Sequence, residues 1–466
     1  MSTTTDAPQV PTRRNAELLL LLFAVLIVVV AEAAVEAAQT GKLSTHLITY
    51  AAVPVLIGLI AHVVIRKVAP YADPVLLPIV VLLNGLGLVM IHRLDLGLKQ
   101  QAEQGSGTFD GPAAPTQVVW TAMGVVLFIA LIVIVRDHRT LQRYAYTLAL
   151  AGLFFLLLPA VLPARFSEVN GARIWIRVAG FSIQPGEFGK ILLTIFGASY
   201  LVAKRDVLAL AGRRIAGIDL PRGRDLGPLL AVWLMCIGVL VRGHDLGTSL
   251  LFFGVFVVLL YVATERSGWV VVGLVLFAGG AYVAYQLFGT VQTRVAVWLH
   301  VSDPKYALEA GYQLRQSLFG LGTGGVFGTG LGGGHPELVP LPATDFIISS
   351  FGEEIGLFGL AGLLVIYGIF VSRGFAAALA VRDSFGKLLA TGLSFLVAFQ
   401  LFVVIAGVSR LLPETGLTTP FLSYGGSSLL GSYAILALLV RISDAARRPA
   451  ATPARVLTAQ TPVVTA

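Results

Sequence analysis

The chain has 466 residues, of which 56% are hydrophobic and only 12% are charged. Soluble domains carry about 25% charged residues, so this composition excludes a soluble globular protein and indicates an integral membrane protein with many spans. The net charge of +8 does not point to nucleic acid, because Lys and Arg are concentrated in short loops, as the positive-inside rule describes. The one cysteine, Cys236, excludes an intrachain disulfide and a metal-thiolate cluster, and no zinc-type His/Cys spacing occurs.

Apolar segments long enough to cross a membrane, which takes about 20 residues each, occur about twelve times. The predicted spans are Leu18–Ala38, Leu47–Ile65, Pro74–Ile91, Val118–Val135, Tyr144–Leu162, Phe188–Val202, Leu226–Val241, Thr248–Ala263, Trp269–Leu287, Phe346–Val371, Leu388–Val408 and Gly425–Leu439. The first is too long for a signal-peptide core and is taken as a helix. We therefore expect an all-α, polytopic integral membrane protein.

The positions of Lys and Arg predict which side of the membrane each loop faces. With twelve crossings, the basic loops all fall on one side, which is then cytoplasmic together with both termini. The segments 100–117, 165–186, 242–247, 288–345 and 409–423 are predicted to lie on the outer side.

The longest segment between spans, 288–345, is rich in glycine and carries scattered charges. Its Gly, Pro and charged residues exclude a span, and its interspersed aromatic and aliphatic residues argue against disorder. The glycines at 322–330 resemble a phosphate-binding loop, but no strand precedes them and no Lys-Ser/Thr pair follows, so tight turns are favoured. We interpret 288–345 as a partly folded extramembrane loop that carries the chemistry.

Polar residues gather in four places on the predicted outer side: 170–190, 242–248, the long loop and 409–428. Because these places lie at span ends, their side chains can converge on one cavity, and ionisable groups at membrane depth generally pair or line a cavity. The candidate residues are Arg173, Trp175, Gln184, Glu187, Lys190, Asp245, Arg294, Asp303, Tyr312, Gln313, Arg315, Asp345, Glu353, Arg410 and Ser423.

Several candidates have a structural alternative. Glu187 and Lys190 are three residues apart on one helix face, where they can pair with each other or contact a substrate. Trp175 can be an interfacial anchor or a substrate contact. Asp245 stands at a predicted helix start, where a carboxylate can serve as a cap.

Two further carboxylates lie in the long loop. Asp345 stands with Thr344 at the start of a predicted span, and we assign it mainly to capping that helix. Asp303 precedes Pro304 in the middle of the loop, and we assign it mainly to chemistry.

The order of motifs resembles the shape, elongation, division and sporulation (SEDS) family of the RodA/FtsW type, most closely its actinobacterial RodA-type members. The motifs are LLNGLGLVMIHRLDL at 82–96, QPGEFGK at 184–190, HDLGT at 244–248, an Asp-Pro before GYQ at 303–313, TDFI and GEE at 344–354, and LPETGLTTPFLSYGGSS at 412–428. The resemblance extends from about Pro74 to Arg441.

This resemblance implies an architecture. Residues 74–443 would form the family's ten-helix transmembrane core, with 288–345 as its large extracellular loop. Residues 17–73 would add about two N-terminal transmembrane helices, 1–16 would be a cytoplasmic segment, and 444–466 a disordered cytoplasmic tail. The location would be the bacterial cytoplasmic membrane.

The resemblance also implies a function: polymerisation of lipid II into peptidoglycan glycan strands, together with a class B penicillin-binding protein transpeptidase. The family's catalytic aspartate is matched by Asp303, which would act as general base. The expected substrate contacts are Arg173, Trp175, Lys190, Arg294, Arg315, Arg410 and Ser423. The expected structural or cavity-lining residues are Gln184, Glu187, Asp245, Tyr312, Gln313, Asp345 and Glu353. No cofactor is specified, although Mg²⁺ or Mn²⁺ would suit a site of carboxylates and phosphates.

Two other functions stay open at this point. A flippase for lipid-linked precursors would place its main charges midway through the spans, whereas here they gather at the outer ends. A non-catalytic scaffold for a transpeptidase would need no carboxylate in a cavity. The sequence does not separate a role in elongation from one in division.

Overall fold

The computed structural model describes residues 12–42, 46–105, 107–109, 111–169, 172–178, 181–209, 213–215, 218–220, 227, 234, 238 and 245–449. The described helices are α1 (Arg14–Thr40), α2 (His46–Val68), α3 (Leu76–Glu103), α4 (Ala114–Ile134), α5 (Thr140–Arg143), α6 (Ala145–Val161), α7 (Ala164–Ser167), α8 (Gly186–Ala209), α9 (Leu246–Thr264), α10 (Gly268–Leu287), α11 (Gly289–Leu299), α12 (Pro304–Ala307), α13 (Tyr312–Gly324), α14 (Ile347–Ala380), α15 (Ser384–Val408) and α16 (Gly426–Arg447), with a short 3₁₀ helix at Pro336–Leu338.

Three short antiparallel hairpins interrupt the helices. They pair β1 (Glu168–Val169) with β2 (Ala172–Arg173), β3 (Ile176–Val178) with β4 (Phe181–Ile183), and β5 (Arg213–Ile215) with β6 (Ile218–Leu220). None contributes to a larger sheet within the described residues, so the fold remains a helical bundle.

Nine of the described helices are long and apolar enough to cross a membrane: α1, α3, α4, α8, α9, α10, α14, α15 and α16. Helices α2 and α6 also lie where spans are predicted. The remaining prediction, Leu226–Val241, falls outside the described residues apart from 227, 234 and 238. The prediction of an all-α, multi-pass membrane protein is confirmed, because apolar length alone determines which segments can satisfy their backbone groups in lipid.

The last helix corrects one predicted boundary. Helix α16 continues to Arg447, so the start of the segment predicted to be a disordered tail, 444–466, belongs to the bundle. Asp444 is buried, accepts a hydrogen bond from the Tyr71 amide at 2.9 Å and pairs with Arg448 at 2.7 Å. Residues 450–466 lie outside the described part.

Small residues set the helix spacing in the centre of the bundle. Helix α16 packs against α4, where Gly426 lies so close to Trp120 that a Cβ atom would come within 2.2 Å of the indole ring. Gly124 lies equally close to the ring of Tyr433, at 2.5 Å. Close contact through small residues is the main means by which helices associate in lipid, where no hydrophobic driving force acts between them.

The two N-terminal helices attach to the bundle through one face of α1. Leu21, Val28 and Val35 are buried, and α1 packs against α2 and α3. On another face of α1, Phe23 and Leu26 are more than half exposed, as expected for side chains that face lipid tails. The accessory pair is therefore a peripheral layer on α3.

A glycine-rich segment, 325–330, runs alongside a break in α14. At Gly356 the backbone has φ +65° and ψ −174°, so the helical hydrogen bonding is interrupted. The amides of 329 and 330 donate to the carbonyls of 353 and 354, and the amides of 357 and 358 donate to the carbonyls of 325 and 326, at 2.9–3.0 Å. Gly328 has φ +80°, and a Cβ atom there would lie 2.2 Å from the Glu354 carbonyl. The prediction of tight turns is confirmed, and the segment satisfies the backbone groups that the break exposes.

One buried arginine joins this segment to the bundle. Arg93 on α3 is 1% exposed. Its Nε lies 2.6 Å from Glu354, its Nη1 lies 3.1 Å from Glu337, and its Nη2 donates to the Gly334 carbonyl at 2.6 Å. The guanidinium thus links α3, the glycine-rich segment and α14 in one ionic cluster.

We expect Arg93→Ala to destabilise the protein by about 3–5 kcal/mol, because it leaves two buried carboxylates without their cation. Denaturant titration in detergent, followed by tryptophan fluorescence, measures the loss. The matched control is Lys99→Ala on the same helix, whose exposed pair with Glu103 spans 3.9 Å and contributes at most about 1 kcal/mol. Equal stabilities of the two variants would contradict a structural role for the cluster.

Candidate functional site

A cleft of about 380 Å³ lies at the end of the bundle that carries the long loop. One wall is formed by α11, whose contributing residues are three or four apart and so share one helix face. The opposite side comes from α13 and from the segment 412–425, which we call the LPET loop. The lining residues are Thr290, Thr293, Arg294, Val297, Ala310, Gln313, Leu314 and Glu414.

Arg294 and Asp345 approach each other at this cleft. The Arg294 Nη1 donates to the Glu414 carbonyl at 3.0 Å. Gly416 lies between the two side chains: a Cβ atom there would be 3.8 Å from the Arg294 Nη2 and 3.9 Å from the Asp345 Oδ2. Gly416 has φ +70°, a conformation that favours glycine, and the missing side chain leaves room between the charges.

Burial, together with the negative charge of Glu414, raises the pKa of the Asp345 carboxyl to about 7, although Arg294 opposes both. The side chain is partly exposed and lies next to the cleft-lining residue Arg294. A carboxylate with a pKa near neutrality in a cleft is suited to accept a proton during a reaction.

Asp345 does not cap a helix, which corrects our expectation. Helix α14 begins at Ile347, its N-cap residue is Phe346, and no side chain forms a cap hydrogen bond there. The Thr344 hydroxyl donates instead to the Leu341 carbonyl at 3.1 Å. The tight turn before α14, in which Leu341 has φ +54°, directs the chain away from capping geometry.

Asp303 has the geometry that we expected for Asp345. It is the N-cap residue of α12, with Pro304 at the first helical position, and its carboxylate accepts from the Lys305 amide at 3.0 Å. Asp303 is exposed and does not line the cleft described above. Its catalytic assignment stays a prediction from the motif, and the local geometry is that of a helix cap.

Asp245 lies beneath the cleft, at the start of α9. It is buried, its Oδ1 accepts from the Thr248 amide at 2.9 Å, and its Oδ2 accepts from the Gln184 side chain at 3.3 Å. Burial raises the pKa of Asp245, with Glu187 adding to the rise and Arg294 opposing it. The residue is a helix cap that also belongs to the electrostatic surroundings of Arg294.

Lys190 forms a buried ion pair rather than a substrate contact. Its Nζ lies 2.6 Å from Glu187 and donates to the Gln400 side chain at 2.9 Å, and Lys190 is 4% exposed. Gln400 in turn donates to the Thr418 carbonyl at 2.7 Å. The predicted role of Lys190 in binding substrate stays a prediction; in this structure its ammonium forms the alternative pair with Glu187 and helps to hold the LPET loop against α8 and α15.

Ser423 and Arg410 also form internal bonds. The Ser423 hydroxyl donates to the Thr344 carbonyl at 2.6 Å and accepts from the Thr419 amide at 2.8 Å, which fastens the LPET loop to the residue before Asp345. The Arg410 guanidinium donates to the carbonyls of Trp298 and Leu299, each at 2.7 Å, and so satisfies carbonyls at the end of α11. Both residues position the cleft walls, and their assignment as substrate contacts stays a prediction.

The remaining predicted residues either lie on the exposed surface or support the glycine-rich segment. Arg173 is exposed on β2 and pairs with Glu168 at 3.0 Å, and Trp175 is partly exposed between the two hairpins. Neither Arg173 nor Trp175 lines the cleft. Glu353 is buried and accepts from the His335 amide at 2.6 Å, so it supports the glycine-rich segment.

Helix α13 carries the other residues of the GYQ motif. Gln313 lines the cleft and donates to the Pro340 carbonyl at 2.8 Å. The Arg315 guanidinium lies 5.8 Å from the ring centroid of Tyr312 and 5.9 Å from that of Phe319. This stacking orients a cation beside the cleft without neutralising it.

Two residues for which the sequence predicted no specific role matter here. Glu414 lines the cleft and raises the pKa of Asp345; an acidic residue in an otherwise apolar motif was the available signal. Gln400 links Lys190 to the LPET loop; a lone amide inside a predicted span was its signal.

The lining of the cleft is compatible with a divalent cation only if a substrate supplies ligands. Among the described residues, the only group of three His, Cys, Asp or Glu side chains close enough to share an ion is elsewhere, at Glu32, Glu36 and His92. Asp345 and Glu414 would each provide one carboxylate, and Mg²⁺ commonly completes such a set with phosphate oxygens and water.

Comparison with known proteins places this arrangement in a family. A sequence model described as "Cell cycle protein", for FtsW, RodA and SpoVE, matches residues 74–448. A peptidoglycan glycosyltransferase RodA of Mycobacterium tuberculosis is 54% identical over 96% of this chain and 94% of its own.

Solved structures agree with the sequence match. A chain of a peptidoglycan synthase complex, described as coordinating polymerization and crosslinking, has a TM-score of 0.63 and 27% identity over 81% of this chain and 99% of its own. The rod shape determining protein RodA of Thermus thermophilus has a TM-score of 0.55 and 26% identity over 80% of this chain and 96% of its own. The chain belongs to the FtsW/RodA/SpoVE family of membrane-embedded cell cycle proteins.

Proposed function

We propose that this protein is a peptidoglycan glycosyltransferase that polymerises lipid II into glycan strands at the outer face of the bacterial cytoplasmic membrane. The activity is the one named for its mycobacterial relatives. The observation that carries the mechanism is the placement of Asp345, whose pKa lies at about 7, and of Arg294 next to the same residue, Gly416.

In this mechanism Asp345 takes the proton from the acceptor sugar hydroxyl. The hydroxyl oxygen forms a bond to the anomeric carbon of the donor, and the bond from that carbon to the pyrophosphate oxygen breaks. The lipid pyrophosphate leaves with the electron pair, and Arg294 and Arg315 stabilise its charge. A divalent cation, Mg²⁺ or Mn²⁺, would share that role when bound to the phosphates.

We assign the general base to Asp345 rather than to Asp303. A base needs a cleft, access to the substrate and a pKa near the working pH. Asp345 does not itself line the cleft, but it lies beside Gly416 close to the lining residue Arg294 and has a raised pKa, whereas Asp303 is exposed and its carboxylate caps α12. The motif-based assignment to Asp303 is the alternative that the variants below distinguish.

The proposal includes a partner and an orientation. A class B penicillin-binding protein transpeptidase would crosslink the strands, since a chain of similar fold belongs to a complex described by polymerization and crosslinking. The distribution of basic loops favours an orientation with both termini in the cytoplasm and the cleft outside. Purified protein, alone or with its transpeptidase, should polymerise lipid II; a flippase or a scaffold would yield no glycan strands in that assay.

Labelling of single cysteines tests the orientation. In a Cys236→Ser background, we expect Gly107→Cys to react with an impermeant maleimide in intact cells and Thr140→Cys to react only after permeabilisation. Both positions are exposed and lie on either side of α4, so each is the control for the other. The reverse pattern would invert the proposed topology.

Neutralising each aspartate tests the choice of base. Asp345→Asn should lower the rate of lipid II polymerisation by about 10²–10⁴-fold, because it removes the proton acceptor while keeping the side-chain size. Asp303→Asn should keep most of the activity, because asparagine is also a good N-cap residue.

Both variants are compared at equal amounts of monodisperse protein that still binds the transpeptidase. If Asp303→Asn is inactive and Asp345→Asn is active, Asp303 is the general base. Asp345→Glu should recover little activity, because base catalysis depends on position at hydrogen-bond distance.

The pH dependence of the rate provides a second test. The base must be ionised, so the rate should fall as the pH drops below about 7, the pKa of Asp345. Glu414→Gln removes a negative charge that raises this pKa, so the rising limb should move to lower pH. Arg294→Gln removes the opposing positive charge, so the limb should move to higher pH even though the rate itself falls. If the pH at which the rate falls is unchanged in both variants, Asp345 is excluded as the titrating group.

A further inference from the structure

A second cluster of ionisable side chains lies far along the chain from the cleft residues, between α1 and α3. Glu32 and Glu36 are one turn apart on α1, and His92 faces them from α3. All three are buried, with exposures of 0%, 1% and 5%. A potential ligand atom from each lies within 4.8 Å of the others.

The charges of this cluster are not balanced by the pairing that the structure shows for Glu32. Its Oε1 lies 2.7 Å from the His92 Nδ1, and this is its only ion pair with a described residue. Its Oε2 is buried and has no hydrogen-bond partner. A carboxylate oxygen held without a partner in a membrane-spanning helix is costly, and the cost is normally removed by pairing or by a metal ion.

We propose that Glu32, Glu36 and His92 form a binding site for a divalent transition-metal ion of the Zn²⁺ or Mn²⁺ class. One imidazole and two carboxylates are a donor set that such ions accept, and three protein ligands leave a position for water. Bonds of about 2.0–2.2 Å hold two ligand atoms roughly 3 Å or more apart, so side-chain rotation would widen the 2.7 Å contact between His92 and Glu32.

The unpartnered Oε2 of Glu32 would gain a cation in this site. A metal ion bound at the His92 Nδ1 would displace any proton on that atom, which then passes to the other ring nitrogen or to solvent.

The position of the site indicates its role. His92 lies within residues 74–448, which the family model matches, whereas Glu32 and Glu36 lie before that region. A bound ion would fasten the accessory helix α1 to the first helix of the matched region. The ring of Tyr50 on α2 stands with its centroid 4.4 Å from that of His92, so the second accessory helix packs against the same site.

Metal content of the full-length protein in detergent tests the proposal. After treatment with chelator and incubation with ZnCl₂ or MnCl₂, the wild type should retain about one equivalent per chain after gel filtration, and Zn²⁺ should raise its Tm. Glu32→Gln, Glu36→Gln and His92→Gln should each bind Zn²⁺ at least about tenfold more weakly and lose the Tm increase. Glu103→Gln on α3 and His335→Gln, which alter an exposed carboxylate and an exposed imidazole, should behave as wild type.

Calorimetry of the wild type provides the test that does not depend on variants folding. Titration with ZnCl₂ should give a saturable heat that corresponds to about one equivalent per chain. A wild type with no retained metal and no Tm increase would overturn the site, leaving a proton-sharing network. Retention that is equal in the cluster variants and the controls would also overturn it, because the ion would then bind elsewhere.

Discussion

The pairing of residues 325–330 with the interrupted helix α14 is the interaction on which the rest of the site depends. A helix that breaks within lipid exposes backbone groups with no water to satisfy them. Here the break at Gly356 is matched by four hydrogen bonds with the glycine-rich segment, and Arg93 on α3 binds Glu354 of α14 and Glu337 just after that segment. The segment is consequently held against α14, and the chain enters α14 from a defined direction just after Asp345.

Buried charged side chains in this protein mainly connect helices and loops to one another. The Glu187–Lys190 pair reaches the LPET loop through Gln400, and Ser423 joins the same loop to Thr344. These bonds place Gly416 between Arg294 and Asp345. The catalytic geometry therefore depends on groups that need never touch substrate, because rigid support is what holds a reacting group at the distance its chemistry requires.

The spans could be predicted from the sequence because apolar length is a local property that lipid enforces. The hydrogen-bonded pairing at Gly356 could not, since it joins segments whose partners are set by packing.

The difference in local geometry between Asp303 and Asp345 is more instructive. An aspartate directly before proline is itself a signature of a helix start, with the carboxylate as cap and proline at the first helical position, and the structure shows that arrangement at Asp303. Asp345 has no comparable local signal. Its raised pKa arises from burial and from Glu414, which is distant along the chain.

The balance of charges at Asp345 couples substrate binding to base strength. Arg294 lowers the pKa of Asp345 and is also the cation nearest to it that a pyrophosphate would contact. A bound pyrophosphate would offset that positive charge and so raise the pKa, which strengthens the base but favours its protonated form. A divalent cation that arrives with the phosphates would restore the positive charge and keep Asp345 ionised. The electrostatics of the cleft thus give a physical reason to expect that the cation, if used, enters with the substrate and is not held beforehand by the protein alone.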